Sequence, residues 1–311
     1  MHRYNKLYGY GDLLRDYCDS KPDQPIWGEV QHSLYMNIYH FRESGPLGAP
    51  RDQLGRFPRL LSWQKILPFP HQLPISIPVA YFLDTHREQF DLPAGYEHLR
   101  GKDFVLVMPR MDKDITIDKR LAKYRALIEE GLSEDPGRHL VFALHPKDAE
   151  NKDLLEKEFG QYGEFVWRGK TDPVTDLTTS FALVQNANEM WSNYFGAHVF
   201  QAAAFFRAPT KLFGNGLFNP NYHENMTRYL HAFHDATGNI DAQAEVASRV
   251  LGLEYMRPLD ELRDILGFTG AKAVLGKSVK AAYKSLRRIK VKWRVWRGVQ
   301  SPRGVRIGID T

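Results

Sequence analysis

Cysteine is nearly missing from this 311-residue chain: Cys18 is its only one. An internal disulfide framework and a cysteine-built zinc site are thereby excluded, and a reducing, cytoplasmic compartment is the expectation. No run of eighteen apolar residues occurs, so no helix is expected to cross a bilayer. The chain does not open on a charged stretch followed by an apolar one, and no secretory signal is expected. Carboxylates at metal-ligand spacing do not stand out. Asp112-Lys113-Asp114 has the letters of a DxD motif, but those letters are common in loops, and neither a metal nor another cofactor is expected. Internal repeats are absent. One further lack is local: Ala271 to Ile309 holds twelve Lys and Arg and no Asp or Glu. Subtracting those twelve from 42 leaves 30 basic against 37 acidic residues elsewhere, a net of −7 for the rest of the chain. An acidic body with a basic end points to an anionic surface or polymer as partner.

What is present is globular: 43% hydrophobic, 25% charged and 13% aromatic residues, enough for two small domains, or one domain and a tail. Residues 1–25 are rich in Tyr, Gly and Asp and read as a turn-prone entry. A short strand over Ile26–Ser33 delivers Gln31-His32-Ser33 to its end, a second strand lies around Pro58–Trp63, and a proline-rich connection leads to a third apolar run (Ile75, Ile77, Val79–Phe82). From Lys102 the pattern turns regular. Phe104–Pro109, His139–Leu144, Phe165–Trp167 and Glu189–Ser192 read as strands buried on both faces. Between them helices are expected over Asp118–Gly131, with Gly131 as the stop, over Asp153–Phe159 and over Asp176–Gln185. A small-residue helix starting near Gly196 ends before Pro209, and Thr210–Phe213 is the next strand. Residues 218–268 read as mostly helical (Asn221–Thr237, Asp241–Leu251, Leu259–Leu266). Strand–helix alternation of this kind predicts an α/β fold with doubly wound parallel sheets. The expected divisions are a small N-terminal α/β domain (1–100), a Rossmann-like nucleotide-binding domain (101–217), a helical return segment (218–269) and a basic amphipathic tail (270–311).

The ends of three strands, expected to be neighbours, carry groups that suit a phosphate. His145-Pro146-Lys147 follows one apolar strand; the imidazole can donate a hydrogen bond or place a charge, and the proline fixes the turn. Arg168-Gly169-Lys170-Thr171 ends another with a flexible glycine between two cations. Ser192-Asn193-Tyr194 ends a third, directly before a helix whose first amides are unpaired and whose dipole is positive. Each has an ordinary reading as well: a plain turn, a solvated loop, a helix cap. Their coincidence on the carboxyl edge of one sheet, where open α/β sheets bind ligands, favours a nucleotide site. His198 and Tyr194 are expected to line the same rim.

The succession Gln31-His32-Ser33, Leu60-Leu61-Ser62-Trp63, His145-Pro146, Gly169, Ser192-Asn193-Tyr194-Phe195-Gly196 and Pro209-Thr210 resembles the two-domain GT-B glycosyltransferases of bacterial surface polysaccharides. Within them it is similar to the capsule Kdo-transferases, the bacterial sialyl- and polysialyltransferases and the CDP-glycerol glycerophosphotransferases. The resemblance covers roughly residues 26–215 and is stronger in the second half. It implies a GT-B-like fold with a reduced N-terminal domain and transfer of a sugar from a CMP- or CDP-type donor without a metal. His145 and Pro146 match the family's His-Pro motif, and Ser192 with Asn193 match its Ser-rich motif at a helix start. Lys147, Arg168, Gly169, Lys170, Thr171, Tyr194, Gly196 and His198 join them as nucleotide-side residues. Gln31-His32 is similar to a Gln-His-Gly turn, with Ser33 in place of the glycine. His32, Glu29 or Asp12 would then be the general base for the acceptor hydroxyl. A polyol-phosphate transferase and a non-catalytic scaffold that keeps the fold are the rival readings. Surface-glycan assembly for capsule or lipopolysaccharide is the setting the resemblance implies, with a glycan or lipid-linked acceptor.

The tail has its own pattern. Leu275, Val279, Ala282, Leu286, Ile289, Trp293 and Trp296 recur at steps of four and three, one stripe along a helix surrounded by Lys and Arg. Residues 272–297 are therefore expected to lie on an anionic membrane, peripherally on the inner face. Docking of the stripe on the protein body is the alternative. Nucleic acid ranks third, because few aromatic platforms interleave the charges.

Overall fold

The computed structural model describes residues 9–31, 60–63, 72–86, 90–109, 116–144, 146–167, 173–213, 232–233 and 239–270, with backbone alone for Glu29, Pro146, Lys147 and Pro173. The basic tail and the expected helix over Asn221–Thr237, but for two residues, lie outside this set.

The elements, in chain order, are α1 (Tyr10–Tyr17), β1 (Glu29–Val30), β2 (Leu60–Ser62), β3 (Gln72–Pro74), α2 (Pro78–Thr85), β4 (Val105–Val107), α3 (Ile117–Glu134), β5 (Leu140–Leu144), α4 (Lys152–Phe159), β6 (Gly163–Trp167), α5 (Pro173–Asn186), β7 (Glu189–Ser192), α6 (Ala197–Phe206), β8 (Thr210–Leu212), α7 (Ile240–Val250) and α8 (Leu259–Leu266). Two parallel sheets result. One has the order β1-β2-β3; the other runs β6-β5-β4-β7-β8. The chain is thus an α/β protein with two parallel sheets, as expected.

Alternation along the strands explains why the larger sheet is covered on both faces. Val105, Val107, Leu140, Phe142, Leu144 and Trp191 point to one side, where Leu121, Tyr124, Leu127 and Ile128 of α3 and Leu155 and Phe159 of α4 meet them. Phe104, Leu106, Val141, Ala143, Val166 and Met190 point to the other, against Phe181 to Val184 of α5 and Val199 to Ala203 of α6. This second core continues without a break into Leu61, Trp63, Ile75, Ile77 and Tyr81 beside the small sheet.

Several local readings change. The turn-prone entry contains α1, because Tyr10, Leu13 and Leu14 recur on one face and are buried. The proline-rich connection contains β3, and the third apolar run leads into α2, which starts with Pro78 at a position where its missing N–H costs nothing. Gly131 does not stop α3, which continues to Glu134. It is a helix-interior glycine because a Cβ there would collide with the six-membered ring of Trp191.

The return segment crosses to the small sheet. Leu251 O accepts from Ile77 N at 3.1 Å, and Leu266 O accepts from Trp27 N at 2.8 Å. Tyr81 Oη accepts from Arg257 N at 3.1 Å, while Arg257 Nε and Nη2 each donate to Pro74 O at 3.2 Å. At the far edge of the large sheet, Gln243 of α7 brackets Thr210: Oε1 accepts from its N–H (3.0 Å) and Nε2 donates to its carbonyl (2.9 Å).

Candidate functional site

Counting the large sheet's strands in chain order gives 3-2-1-4-5, the first five positions of the doubly wound order 3-2-1-4-5-6, with its reversal between β4 and β7. There the helices leave on opposite faces, the arrangement in which open α/β sheets form their ligand crevice at the carboxyl ends of the two strands. All five strands are parallel, so the carboxyl ends of β5, β6 and β7 share this edge. They do not come from three neighbouring strands, however. β4 lies between β5 and β7, which puts those two tips roughly 10 Å apart by strand spacing.

At the crevice the chain's polar groups form a connected set. Ser192 is fully buried, and its Oγ donates to Met108 O at 2.8 Å, tying the tip of β7 to the tip of β4. His198, in the first turn of α6, lies with Nε2 3.3 Å from Ser192 Oγ and Nδ1 3.3 Å from Tyr194 Oη. The Tyr194 and His198 rings approach to 4.8 Å between centroids. Both rings crowd the space beside Gly196, where any Cβ would strike them. Gly196 is also the N-cap of α6, in extended conformation and without a side-chain hydrogen bond. The N-cap is therefore Gly196, not Ser192 or Asn193, and Ser192 serves as a strand-to-strand bridge.

A second group reaches the same edge from α3 and the turn after β5. Asp148, fully buried, accepts from Arg120 Nη1 at 2.7 Å and lies 3.4 Å from Tyr124 Oη. Burial first, and the Asp148 charge second, push the Tyr124 phenol far above its ordinary range; Tyr194 is close enough to add to the shift. Sequence reasoning passed over this trio. Its signal was the i, i+4 spacing of Arg120 and Tyr124 on the buried face of a helix, with a carboxylate two residues beyond the His-Pro pair.

The remaining expected residues fall as follows. His32, His145, Arg168, Gly169, Lys170 and Thr171 lie outside the described residues, as does Asp112-Lys113-Asp114. Pro146 and Lys147 open a 3-10 turn running to Asn151. Glu29 sits on β1 with its backbone alone described. Asp12 stands in the first turn of α1, its carboxylate 2.6 Å from Nη1 of the buried Arg15, which also donates through Nε to Gln24 O. Among the described residues no group of three or more His, Cys, Asp or Glu is placed to hold a metal, and no helix is long and apolar enough to cross a membrane. An open cavity of about 520 Å³, lined by Leu83, Phe90, Phe205, Phe206 and Met256, lies at the C-terminal end of α6. Because α6 runs against the strands, that is the opposite end of the sheet from the crevice.

No protein-family model matches the chain, and no curated protein matches it. Among solved structures it is similar to the Staphylococcus aureus MnaA–UDP co-structure, at 14% identity and TM-score 0.48, covering 78% of this chain and 68% of that one. A Methanocaldococcus jannaschii UDP-GlcNAc 2-epimerase in complex with UDP-GlcNAc and UDP gives 13% identity and TM-score 0.45 over 83% of this chain and 68% of that one. AviGT4, a glycosyltransferase involved in avilamycin A biosynthesis, gives 18% identity and TM-score 0.27 over 68% of this chain and 57% of that one.

Proposed function

We propose that this chain binds a nucleotide-activated sugar at the carboxyl edge of its larger sheet and transfers the sugar to a surface-glycan acceptor. The observation that carries the reading is the coincidence of the β4–β7 reversal with the polar set Ser192, Tyr194, His198 and the uncapped start of α6. Transfer from such a donor needs the departing phosphate stabilised, an electrostatic task that oriented dipoles and cations perform best away from water. In this reading the α6 amides and His198 meet the phosphate, joined by His145 and by Arg168 or Lys170 from the sequence. Ser192 keeps the two strand tips in register, and Gly196 gives the imidazole its room. A cytidine nucleotide is the proposed donor, on the strength of the His-Pro resemblance. The acceptor hydroxyl would lose its proton to His32 or Glu29; the carboxylate of Asp12 is already engaged by Arg15. Residues 272–297 would hold the enzyme on an anionic membrane, which suits a lipid-linked acceptor.

The test is titration calorimetry with CMP, CDP, UDP and GDP, followed by donor turnover. Binding of one of them, weakened at least tenfold by His198→Ala, is the expected result. Indifference to all four overturns the reading. For the tail, the full chain is expected to float with vesicles rich in phosphatidylserine at low salt, and a chain ending at residue 270 to stay behind; equal flotation removes the anchor.

One observation favours a second reading. The small sheet consists of strands of only two or three residues, slight support for an acceptor-binding half. A scaffold that retains the nucleotide and transfers nothing fits that frame, and nucleotide binding without donor turnover would select it.

A further inference from the structure

We infer that Arg120 is a phosphate-binding residue of the nucleotide site, a guanidinium pinned on one side by Asp148 so that its Nε–H is left for the anion; the inference rests on the nucleotide-site reading above. Arg120 lies in the first turns of α3, the helix that leaves β4 at the reversal point. Its side chain is 12% exposed, and Nη1 donates to the Asp148 carboxylate at 2.7 Å. Nε, by contrast, is buried and has no hydrogen-bond partner. A guanidinium offers five N–H donors in a fixed fork, and a buried one left unmade carries a desolvation cost. That cost disappears when an oxygen takes the bond, and an anionic oxygen makes it strongest.

The surroundings specify which oxygen. Asp148 accounts for one unit of charge and fixes one edge of the fork, so the guanidinium cannot swing to solvent. Tyr124, one turn further along α3, stands against the same carboxylate and within electrostatic reach of Tyr194. Tyr194 in turn contacts His198. The face of α3 that carries Tyr124 therefore lies near the turn before α6, and a group bound between Arg120 and that turn would face an N–H donor and two helix starts. Phosphate oxygens have that chemistry; a nucleoside without phosphate does not. Lysine would keep the charge but has no rigid fork with which to hold Asp148 and present Nε at once.

The experiment uses the full chain and titration calorimetry with pyrophosphate, UDP and CMP, comparing wild type with Arg120→Lys, Asp148→Asn and Arg125→Gln. Arg125 serves as the control because it pairs with Glu158 on the exposed side of α3 at 2.7 Å. Arg120→Lys is expected to weaken pyrophosphate and at least one nucleotide tenfold or more, Asp148→Asn at least threefold, and Arg125→Gln by less than twofold. Unchanged affinity in Arg120→Lys, or an equal loss in Arg125→Gln, overturns the inference while the nucleotide reading stands. Failure of the wild type to bind any of the three overturns the inference, and indifference to CDP and GDP as well overturns both.

Discussion

The two sheets are held together by different means. The large one is a ladder: five parallel strands of up to five residues, apolar on both faces, sealed by α3 and α4 on one side and α5 and α6 on the other. The small one has strands of two and three residues, too few to hold themselves. Side chains and late-sequence backbone hold it instead: Trp63 packed on Tyr10 at 5.6 Å, Tyr81 accepting from Arg257, Leu251 and Leu266 supplying carbonyls to Ile77 and Trp27. One half draws its stability from its own strands, the other in large part from residues that follow it by 174 to 239 positions. The difference teaches that the first half cannot be judged without the return segment.

Substitutions can break this contrast, beginning with the largest. Trp191→Ala removes the indole wedged against Gly131 and Phe213, and is expected to lower stability by about 3–5 kcal/mol, read from the denaturant midpoint. Because the cavity lies in the ladder, the whole unfolding transition should shift. Alkali probes the other half. Burial pushes the Tyr81 phenol from 10.0 to about 12, so the folded chain keeps a proton that the unfolded chain releases first. Its contribution is full below pH 10 and is lost as pH rises toward 12, roughly 2–3 kcal/mol in all. Tyr81→Phe is expected to flatten that part of the stability–pH curve, measured by urea unfolding from pH 9 upward; an unchanged slope would remove Tyr81 from the account.

Gly252 sharpens the comparison. Its φ of +64° is left-handed, and a Cβ there would strike the backbone carbonyl of Trp63. Gly252→Ala is expected to cost about 1–3 kcal/mol. Hydrogen exchange should quicken at Leu61 to Trp63 and Ile75 to Tyr81 while Leu140 to Leu144 stays protected; uniform quickening would mean that the halves are not distinguishable. The smallest effect is expected from Arg257→Gln, which loses the paired donation to Pro74 O, about 0.5–1.5 kcal/mol by thermal unfolding.

Much of the ladder was legible because it obeys local rules. Val105–Val107, Leu140–Leu144 and Glu189–Ser192 are apolar runs bounded by turns, and Leu259–Leu266 carries its own helix signals, so period and punctuation found them. In the small sheet, β1 and β2 fall inside the strands expected over Ile26–Ser33 and around Pro58–Trp63, whereas β3 was not legible, since three residues in a proline-rich connection leave no period to read. Gly131 was misread for a related reason: in one dimension a glycine near a helix end resembles a stop, and Trp191 sits sixty residues away. In the site, Ser192, Tyr194, Gly196 and His198 were visible as a contiguous turn. Arg120 with Asp148 was not, since a pair joined across 28 positions is indistinguishable from two surface charges until the fold closes it.

The bracket that Gln243 places on Thr210 has a consequence for the molecule in company. Among the described residues β8 is the last strand of its sheet, and its outer side would otherwise invite a stranger's backbone to add on. A single carboxamide from a helix imitates that visitor, taking both the amide and the carbonyl of one residue, so the sheet is finished where it stops. Replace the carboxamide with a methyl group, and the chain acquires a sticky seam at which copies could begin to zip together.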